Sequence, residues 1–306
     1  MASKYQLRSI SLPSRSHPST IRVDEELIKL KTWEEATSTS STPTSKSISI
    51  GFSLLQDLYL SLDAFLNMSS TQNVISQIQG DGDDDEKKYV EEVLDGSMRV
   101  LDICGITRDI MLQIKENVQS LHSSLRRRKG DSSSVEKSVL EYNFFTKKMK
   151  KNAKKVITNL KHMENKFGVS PILNNLGDHF GAVVRVLREV IQMNLFVFQS
   201  LLSFLSMSKS KSKSTKWLMV AKFVHKGVIA CEDNNNNSQN VNELQCVEAS
   251  LSTLLIEGAN NGEKMHFAHE KLEALENVLE SFDNDLESTF RYLIKTRSTL
   301  LNVISQ

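Results

Sequence analysis

Four side chains near residue 265 are of the types that bind a metal ion. His266 and His269 are three residues apart, and Glu263 and Glu270 flank them. Residues three apart lie on one face of a helix, so the two imidazoles could share a zinc ion. No third ligand with matching context occurs in the sequence. Exposed helix residues are therefore the favoured interpretation, and we predict no metal ion and no other cofactor.

Paired carboxylates and a thiol are the other candidate catalytic groups. Asp95 and Asp102 are seven residues apart, which places both on one face of a helix. Catalysis by such a pair needs a pocket and a base, and the sequence indicates neither. Cys104 lies on an apolar helix stripe, where a buried and inert thiol is the default. With no phosphate loop either, the sequence predicts a protein that is not an enzyme.

A run of lysines could bind an anionic partner. Its six members lie on the side of a predicted helix opposite the apolar stripe: Lys147, Lys148, Lys150, Lys151, Lys154 and Lys155. Such a surface could contact phosphoinositide headgroups or nucleic acid. A solvated face, or ion pairs with acidic segments of the chain, explains the run equally well. No aromatic residue interleaves with these lysines in the predicted face, which disfavours nucleic acid.

A short motif near the amino terminus is a candidate phosphorylation site. Arg8 precedes Ser11 by three residues, and Pro13 follows Ser11 by two. A phosphate would add close to two negative charges and three acceptor oxygens. The proline would turn the chain out of a binding groove. The pattern resembles a phosphoserine site for 14-3-3 adaptor proteins, although short motifs also arise by chance. We therefore expect protein partners, with a phosphoserine-binding adaptor as the specific candidate.

The elements that position these groups are predicted to be helices. Apolar residues recur at steps of three and four in every folded segment, which is the period of an α-helix. Only 4 prolines and 12 glycines in 306 residues argue against the many turns of an all-β protein. The sequence predicts an all-α fold: an elongated antiparallel helical bundle, with coiled-coil-like packing of its C-terminal helices and a disordered N-terminal arm.

Residues 84–129 are predicted to form one long helix, or two in line. The apolar stripe of this stretch, which includes Met98 before Gly105 and Ile106 after it, rotates near Gly105, and Gly96 is a second interruption. A glycine costs about 1 kcal/mol relative to alanine in a helix interior and usually marks a kink or a close helix contact. We therefore expect a kink or break near Gly105. Leu101, on the predicted stripe, should be buried between helices.

Three regions are predicted along the chain. Residues 1–22 form a disordered, basic, Ser-rich arm, residues 23–47 a short helix and a Ser/Thr-rich linker, and residues 48–306 the bundle domain. The arm also has the composition of a plastid transit peptide. Three widely spaced cysteines are typical of a reducing compartment. The cytoplasm is the expected location, with the plastid or a membrane surface as the alternative.

Charge is distributed unevenly. Residues 126–226 carry 21 basic and 6 acidic side chains, whereas residues 80–125 and 240–306 each carry 5 basic and 11 acidic ones. The acidic segments are expected to fold back on the basic middle, or else the middle meets an anionic partner. Residues 190–207 are apolar enough to raise the question of a membrane span. Polar residues interrupt this run, so a place in the bundle core is favoured.

Residues 94–105, with the sequence LDGSMRVLDICG, resemble the signature of the BYPASS-like family of plant proteins. Residues 8–15, 186–190 and 293–297 fit the same family. Because the resemblance begins at Arg8, it favours a regulatory arm over a cleaved peptide. It implies a helical, non-enzymatic protein linked to root and shoot development. We predict an intracellular regulatory or scaffold protein. The alternative is a peripheral membrane protein that binds anionic lipid through its basic middle.

Overall fold

The structure is a computed structural model, and it describes residues 20–39, 43–82, 84–127, 131–167, 178–207, 242–257 and 261–305. These residues form eight helices and no strand. In chain order the helices are α1 (Ile21–Thr39), α2 (Ser45–Leu66), α3 (Ser69–Asp81), α4 (Asp84–Arg127), α5 (Ser132–Phe167), α6 (Asp178–Ser206), α7 (Glu243–Glu257) and α8 (Gly262–Ile304). The predicted all-α bundle is confirmed. Ser11 and most of the predicted arm lie outside the described residues.

Helix α6 lies at the centre of the bundle. None of residues 179–206 is exposed to solvent. Helices α1 to α5 all contact it, α8 packs against α2 and α4, and Phe282 of α8 also contacts the ring of Phe204 in α6. The apolar run that raised the question of a membrane span therefore belongs to the protein core, as predicted. Among the described residues, no helix combines the length and the apolar character needed to cross a bilayer.

Helices α4 and α8 run antiparallel along much of their length. Arg108 pairs with Glu287, and farther along the two helices Arg297 donates a hydrogen bond to the carbonyl oxygen of Leu94. Helix α8 buries a row of side chains at steps of three and four: Leu272, Leu275, Leu279, Phe282 and Leu286. That spacing is the one used in coiled coils. Coiled-coil geometry itself stays a prediction.

Helix α1 packs into the same core as the longer helices. Its residues Val23, Leu27, Leu30 and Trp33 are buried there. The indole nitrogen of Trp33 donates a 2.9 Å hydrogen bond to the carbonyl oxygen of Ser47, which ties α1 to the first turn of α2. Both helices are longer than expected, because α1 begins inside the predicted arm and α2 begins inside the predicted linker. The predicted linker is thereby reduced to a few residues.

Two asparagines satisfy polar groups inside the core. The hydroxyl of Tyr59 in α2 donates a 2.9 Å hydrogen bond to the side-chain oxygen of Asn194 in α6. Burial raises the pKa of Tyr59, so the hydroxyl remains a donor throughout the physiological range. Asn242 donates to the carbonyl oxygen of Phe204 at 2.9 Å and accepts from the amide of Leu244 at 2.8 Å. It therefore caps α7 and joins α7 to the end of α6.

Helix α4 passes through Gly105 without interruption, so the expected break there is wrong. The predicted stripe is buried at most of its positions, Ile103, Ile110 and Ile114 among them, but not at all of them. Met98 and Ile106, which were counted in the predicted stripe, are exposed, whereas Val100 is almost fully buried. The buried positions continue at steps of three and four along the whole helix, so no rotation is needed. Leu101 is accordingly half-buried rather than buried.

The two glycines of α4 have different surroundings. A Cβ atom on Gly96 would lie 2.7 Å from Cδ1 of Ile191 in α6 and 2.7 Å from Cζ of Phe167 in α5. A Cβ atom on Gly105 would meet nothing within 4 Å. Gly96 thus marks a close contact among three helices. A close helix contact was one of the two roles expected for these glycines, the other being a kink. Gly105 has no such role.

The two glycines should respond in opposite directions to replacement by alanine. Gly105→Ala should raise the free energy of unfolding by about 1 kcal/mol, since it removes the backbone entropy cost of glycine in a helix. Gly96→Ala should lower it by about 1–3 kcal/mol, because overpacking outweighs that gain. Urea denaturation followed by circular dichroism measures both. Equal stability of the two variants would contradict the close packing of α4 against α5 and α6.

Candidate functional site

Helix α5 has one buried side and one exposed side. Val139, Tyr142 and Met149 are buried where the helix packs against α4 and α6. The carboxylate of Asp131 accepts a hydrogen bond from the amide of Ser134 at 3.2 Å and caps the first turn. The opposite side of the helix faces solvent. The candidate site lies on that side.

Five of the six predicted lysines lie on the exposed side of α5: Lys147, Lys148, Lys151, Lys154 and Lys155. Lys150 differs from its neighbours. Its side chain is buried and forms an ion pair with Glu248 of α7. At 3.6 residues per turn, Lys150 points about 100° away from Lys151, toward the bundle. Lys150 is therefore a structural residue rather than a member of the exposed group.

Two apolar side chains that the sequence analysis did not assign lie among these lysines. Phe144 is 77% exposed and Leu140 is 54% exposed. Phe144 precedes Lys147 by three residues and Lys148 by four, so all three share one side of the helix. Phe144 therefore shares the face of the lysines but precedes the whole run, so the prediction that no aromatic residue interleaves with the lysines is not contradicted. The same spacing rule, applied from Phe144 forward, would have found it in the sequence.

We name this surface the α5 outer face. It consists of Leu140, Phe144, Lys147, Lys148, Lys151, Lys154 and Lys155, which lie within about 80° of the direction of Phe144. Glu141 is the single acidic residue between positions 140 and 155. The face therefore has a strongly positive local potential beside an exposed apolar spot. Such a combination is typical of a surface that binds an anionic and partly apolar partner.

The expected pairing of acidic segments with the basic middle is found for part of the chain. Arg188 of α6 lies 3.0 Å from the carboxylate of Glu92 in α4, and Lys150 pairs with Glu248. Arg185 of α6 instead pairs with Asp24 of α1 at 2.9 Å. These are the cations nearest the core. The five lysines of the α5 outer face form no ion pair with a described residue, so no described acidic side chain neutralises them.

The two histidines considered for a metal site point in different directions. His266 is exposed, whereas His269 is half-buried with its ring 5.2 Å from that of His122 in α4. The interpretation of both as exposed is therefore wrong for His269. His122 in turn lies 3.0 Å from a carboxylate oxygen of Glu276. Within the described part of the chain, no three potential ligands are close enough together to hold a metal ion.

The remaining catalytic candidates have structural surroundings. Asp95 and Asp102 are both exposed, and Asp95 accepts a 2.9 Å hydrogen bond from Arg99 one turn later. Cys104 is fully buried, and this burial raises the pKa of its thiol to about 12. A thiol with that pKa is not a nucleophile at physiological pH. The expected inert role of Cys104 is therefore supported.

Three of the segments that carry the family resemblance meet inside the bundle. From the segment 293–297, Arg297 donates 2.7 Å hydrogen bonds to the carbonyl oxygen of Leu94 and to the hydroxyl of Ser97. From the segment 186–190, Val190 lines a cavity of about 30 Å³ together with Ser97 and Arg297. A cavity of this size holds a water molecule or two and is far too small for a metabolite. These segments hold α4, α6 and α8 together.

The chain matches a known protein family. The family model described as Protein BPS1 matches residues 51–303, from α2 almost to the end of α8. The chain belongs to the BPS1 family. This confirms the resemblance to BYPASS-like proteins that the short segments indicated. No curated protein and no solved structure gives a significant match. In this BPS1-family chain, residues 94–105, 186–190 and 293–297 contribute side chains to the contacts between α4, α6 and α8, whereas the α5 outer face lies on the surface.

The different roles of Lys150 and Lys151 can be tested by matched substitutions. Lys150→Gln should lower the free energy of unfolding by about 1–3 kcal/mol, because it leaves the half-buried carboxylate of Glu248 without its charged partner. Lys151→Gln removes the same charge from an exposed position and should change stability by less than about 0.5 kcal/mol. Thermal and urea denaturation measure both. Equal effects of the two substitutions would contradict the ion pair between α5 and α7.

Proposed function

We propose that this BPS1-family chain is a non-enzymatic intracellular regulatory or scaffold protein that acts by binding macromolecular partners. The α5 outer face is the observation that carries the proposal. A surface helix normally keeps its large apolar residues on the buried side. Here Phe144 and Leu140 are exposed among five lysines that form no ion pair with a described residue. Such a surface gains more free energy from binding a partner than it contributes to the stability of the bundle.

The positions of the other reactive groups support a role without catalysis. Asp95 is engaged with Arg99, Cys104 is buried with a raised pKa, and His269 packs against the ring of His122. Each of these groups has a structural neighbour that accounts for its position. The family resemblance supplies the proposed setting, which is the control of root and shoot development.

A comparison of partners tests the scaffold proposal. The full chain and its Lys147→Gln/Lys148→Gln/Lys151→Gln variant would each be used for affinity capture from plant tissue, with quantitative mass spectrometry. We expect a defined set of proteins to be retained by the parent and depleted with the variant. Reconstitution of the pair with the strongest depletion from purified components should then show direct binding. Identical sets from the two chains would contradict a scaffold role for the α5 outer face.

The amino-terminal motif suggests how such a scaffold is regulated. We propose that phosphorylated Ser11 recruits a phosphoserine-binding adaptor of the 14-3-3 type. Arg8 three residues before it suits a basophilic kinase, and Pro13 two residues after it lets the chain leave the adaptor's groove. The surrounding residues have no apolar stripe. The entropy cost of ordering them must therefore be offset by charge-assisted hydrogen bonds to the phosphate.

A peptide covering residues 5–16 tests the adaptor proposal directly. By calorimetry, the form phosphorylated on Ser11 should bind the adaptor, and the unmodified form should bind at least about tenfold more weakly, because the phosphate contacts dominate. In the full chain, Ser11→Ala should lose the adaptor while the melting temperature stays unchanged, and Ser9→Ala serves as the matched control. Equally weak binding of both peptides would mean that the motif has no such role.

A peripheral membrane protein is the second candidate function. We propose it because the five exposed lysines of α5 present a continuous cationic surface to solvent. Anionic headgroups attract such a surface over a Debye length. In this case the protein would work at the cytoplasmic side of a membrane. The plastid is the alternative compartment, because the arm has the composition of a plastid transit peptide.

A further inference from the structure

We propose that the α5 outer face docks on an anionic phospholipid surface, with Leu140 and Phe144 inserted at the membrane interface and the five lysines on headgroup phosphates. The inference rests on the second candidate function and deepens it, because it assigns the contact surface and an apolar anchor. The juxtaposition of this anchor with a row of lysines that form no ion pair with a described residue carries it. Lys150 has no part in the contact, since it is buried against Glu248.

The apolar anchor is the first step of the argument. Phe144 is the only exposed aromatic side chain among the described residues, and Leu140 lies one helical turn before it. Side chains four apart on a helix are neighbours, so the two form a single apolar spot. Neither side chain has a polar end that water could satisfy. Transfer of this spot from water into the interfacial region of a bilayer is favourable, because it removes apolar surface from water.

The lysines continue from the anchor along the same side of α5. Lys147 and Lys148 lie in the next turn, followed by Lys151, Lys154 and Lys155. From Leu140 to Lys155 the face extends about 22 Å along the helix axis. Lysine side chains are long enough to keep their ammonium groups at the headgroups while shorter apolar residues lie deeper. Each lysine near an anionic surface strengthens binding by about fivefold.

The preformed helix is the third observation that favours a membrane. The other side of α5 is packed against α4 and α6, so the face is held in a helical conformation before it meets a partner. Binding therefore costs little conformational entropy, in contrast to a peptide that folds on the bilayer. An amphipathic helix rich in lysine with exposed Phe and Leu is typical of proteins that lie on the interface. The bundle would rest on the membrane with α5 parallel to its plane.

The types of the charged residues favour lipid over nucleic acid. All five cations of the face are lysines, and none is an arginine. Arginine offers the planar fork that reads phosphodiesters and bases, whereas the ammonium group of lysine is a point charge. Leu140 cannot stack on a base, although Phe144 could. A diffuse layer of anionic headgroups over an apolar interior matches both halves of the face.

Vesicle sedimentation with the full chain tests the inference. The vesicles contain phosphatidylcholine alone or phosphatidylcholine mixed with phosphatidylserine. The anchor variant is Leu140→Ala/Phe144→Ala, and its matched control replaces two exposed apolar residues of other helices, Ile28→Ala/Leu60→Ala. The lysine variant is Lys147→Gln/Lys148→Gln/Lys151→Gln. Its matched control removes three exposed cations elsewhere: Arg22→Gln, Lys46→Gln and Lys88→Gln.

We expect the parent to bind the anionic vesicles and not the neutral ones. The lysine variant should bind about a hundredfold more weakly than the parent. Added salt should weaken the binding of the parent to the anionic vesicles. The anchor variant should bind about tenfold more weakly, since it loses the inserted apolar area. Both control variants should bind at least about tenfold more tightly than the lysine variant. All variants should keep the parent's melting temperature, because the substituted residues are exposed.

The outcomes that overturn the inference are distinct from those that overturn the candidate function. If the parent does not bind anionic vesicles, both the inference and the peripheral-membrane candidate fail. If the parent binds and the α5 variants bind equally well, the protein is a peripheral membrane protein that contacts lipid through another surface. The inference about α5 then fails. Full binding by the anchor variant would overturn insertion. Binding of single-stranded RNA without binding to vesicles, abolished in the lysine variant, would assign the face to nucleic acid instead.

Discussion

The burial of α6 is the constraint on which the rest of the bundle depends. Residues 179–206 are buried or half-buried throughout, so side chains of other helices must cover most of this helix. Five neighbouring helices do so. The few polar groups of α6 then need partners inside the core, and Tyr59 and Glu92 supply them to Asn194 and Arg188. Without partners, such buried polar groups would lower the free energy of unfolding by more than the contacts around them raise it.

The same constraint explains why α5 can carry a binding surface. Packing against α6 and α4 uses only one side of α5, and the other side contributes little to the stability of the bundle. Lys150 and Lys151 show the division most clearly. They are adjacent in sequence, yet one is buried against Glu248 and the other is exposed on the α5 outer face. A change of charge on the outer face can therefore alter binding without disturbing the core.

Three family segments, in contrast to the α5 outer face, contribute side chains where helices pack together. Residues of the segments 94–105, 186–190 and 293–297 meet around one small cavity where α4, α6 and α8 join. Ser97 and Arg297 hydrogen-bond there, and Gly96 allows the helices to approach closely. What these segments encode is the way three helices pack. Membership of the BPS1 family thus reflects the fold of this chain, whereas the α5 outer face lies outside those segments.

The sequence by itself determined the helical class and the burial of α6, because these depend on local periodicity and composition, and its short motifs indicated the family by resemblance. It did not determine which side of each helix is covered. The apolar residues of α4 occupy more than one side, so its stripe was assigned through Met98 instead of Val100, and a break at Gly105 was expected.

Only the tertiary structure decided the roles of several side chains in the candidate sites. It placed His269 against His122, Lys150 against Glu248, and Phe144 in solvent. The periodicity of a helix records how its residues are arranged around the axis. Which arc of that axis meets a neighbour depends on side chains far away in the sequence, such as Glu248 for Lys150, and no local pattern contains that information.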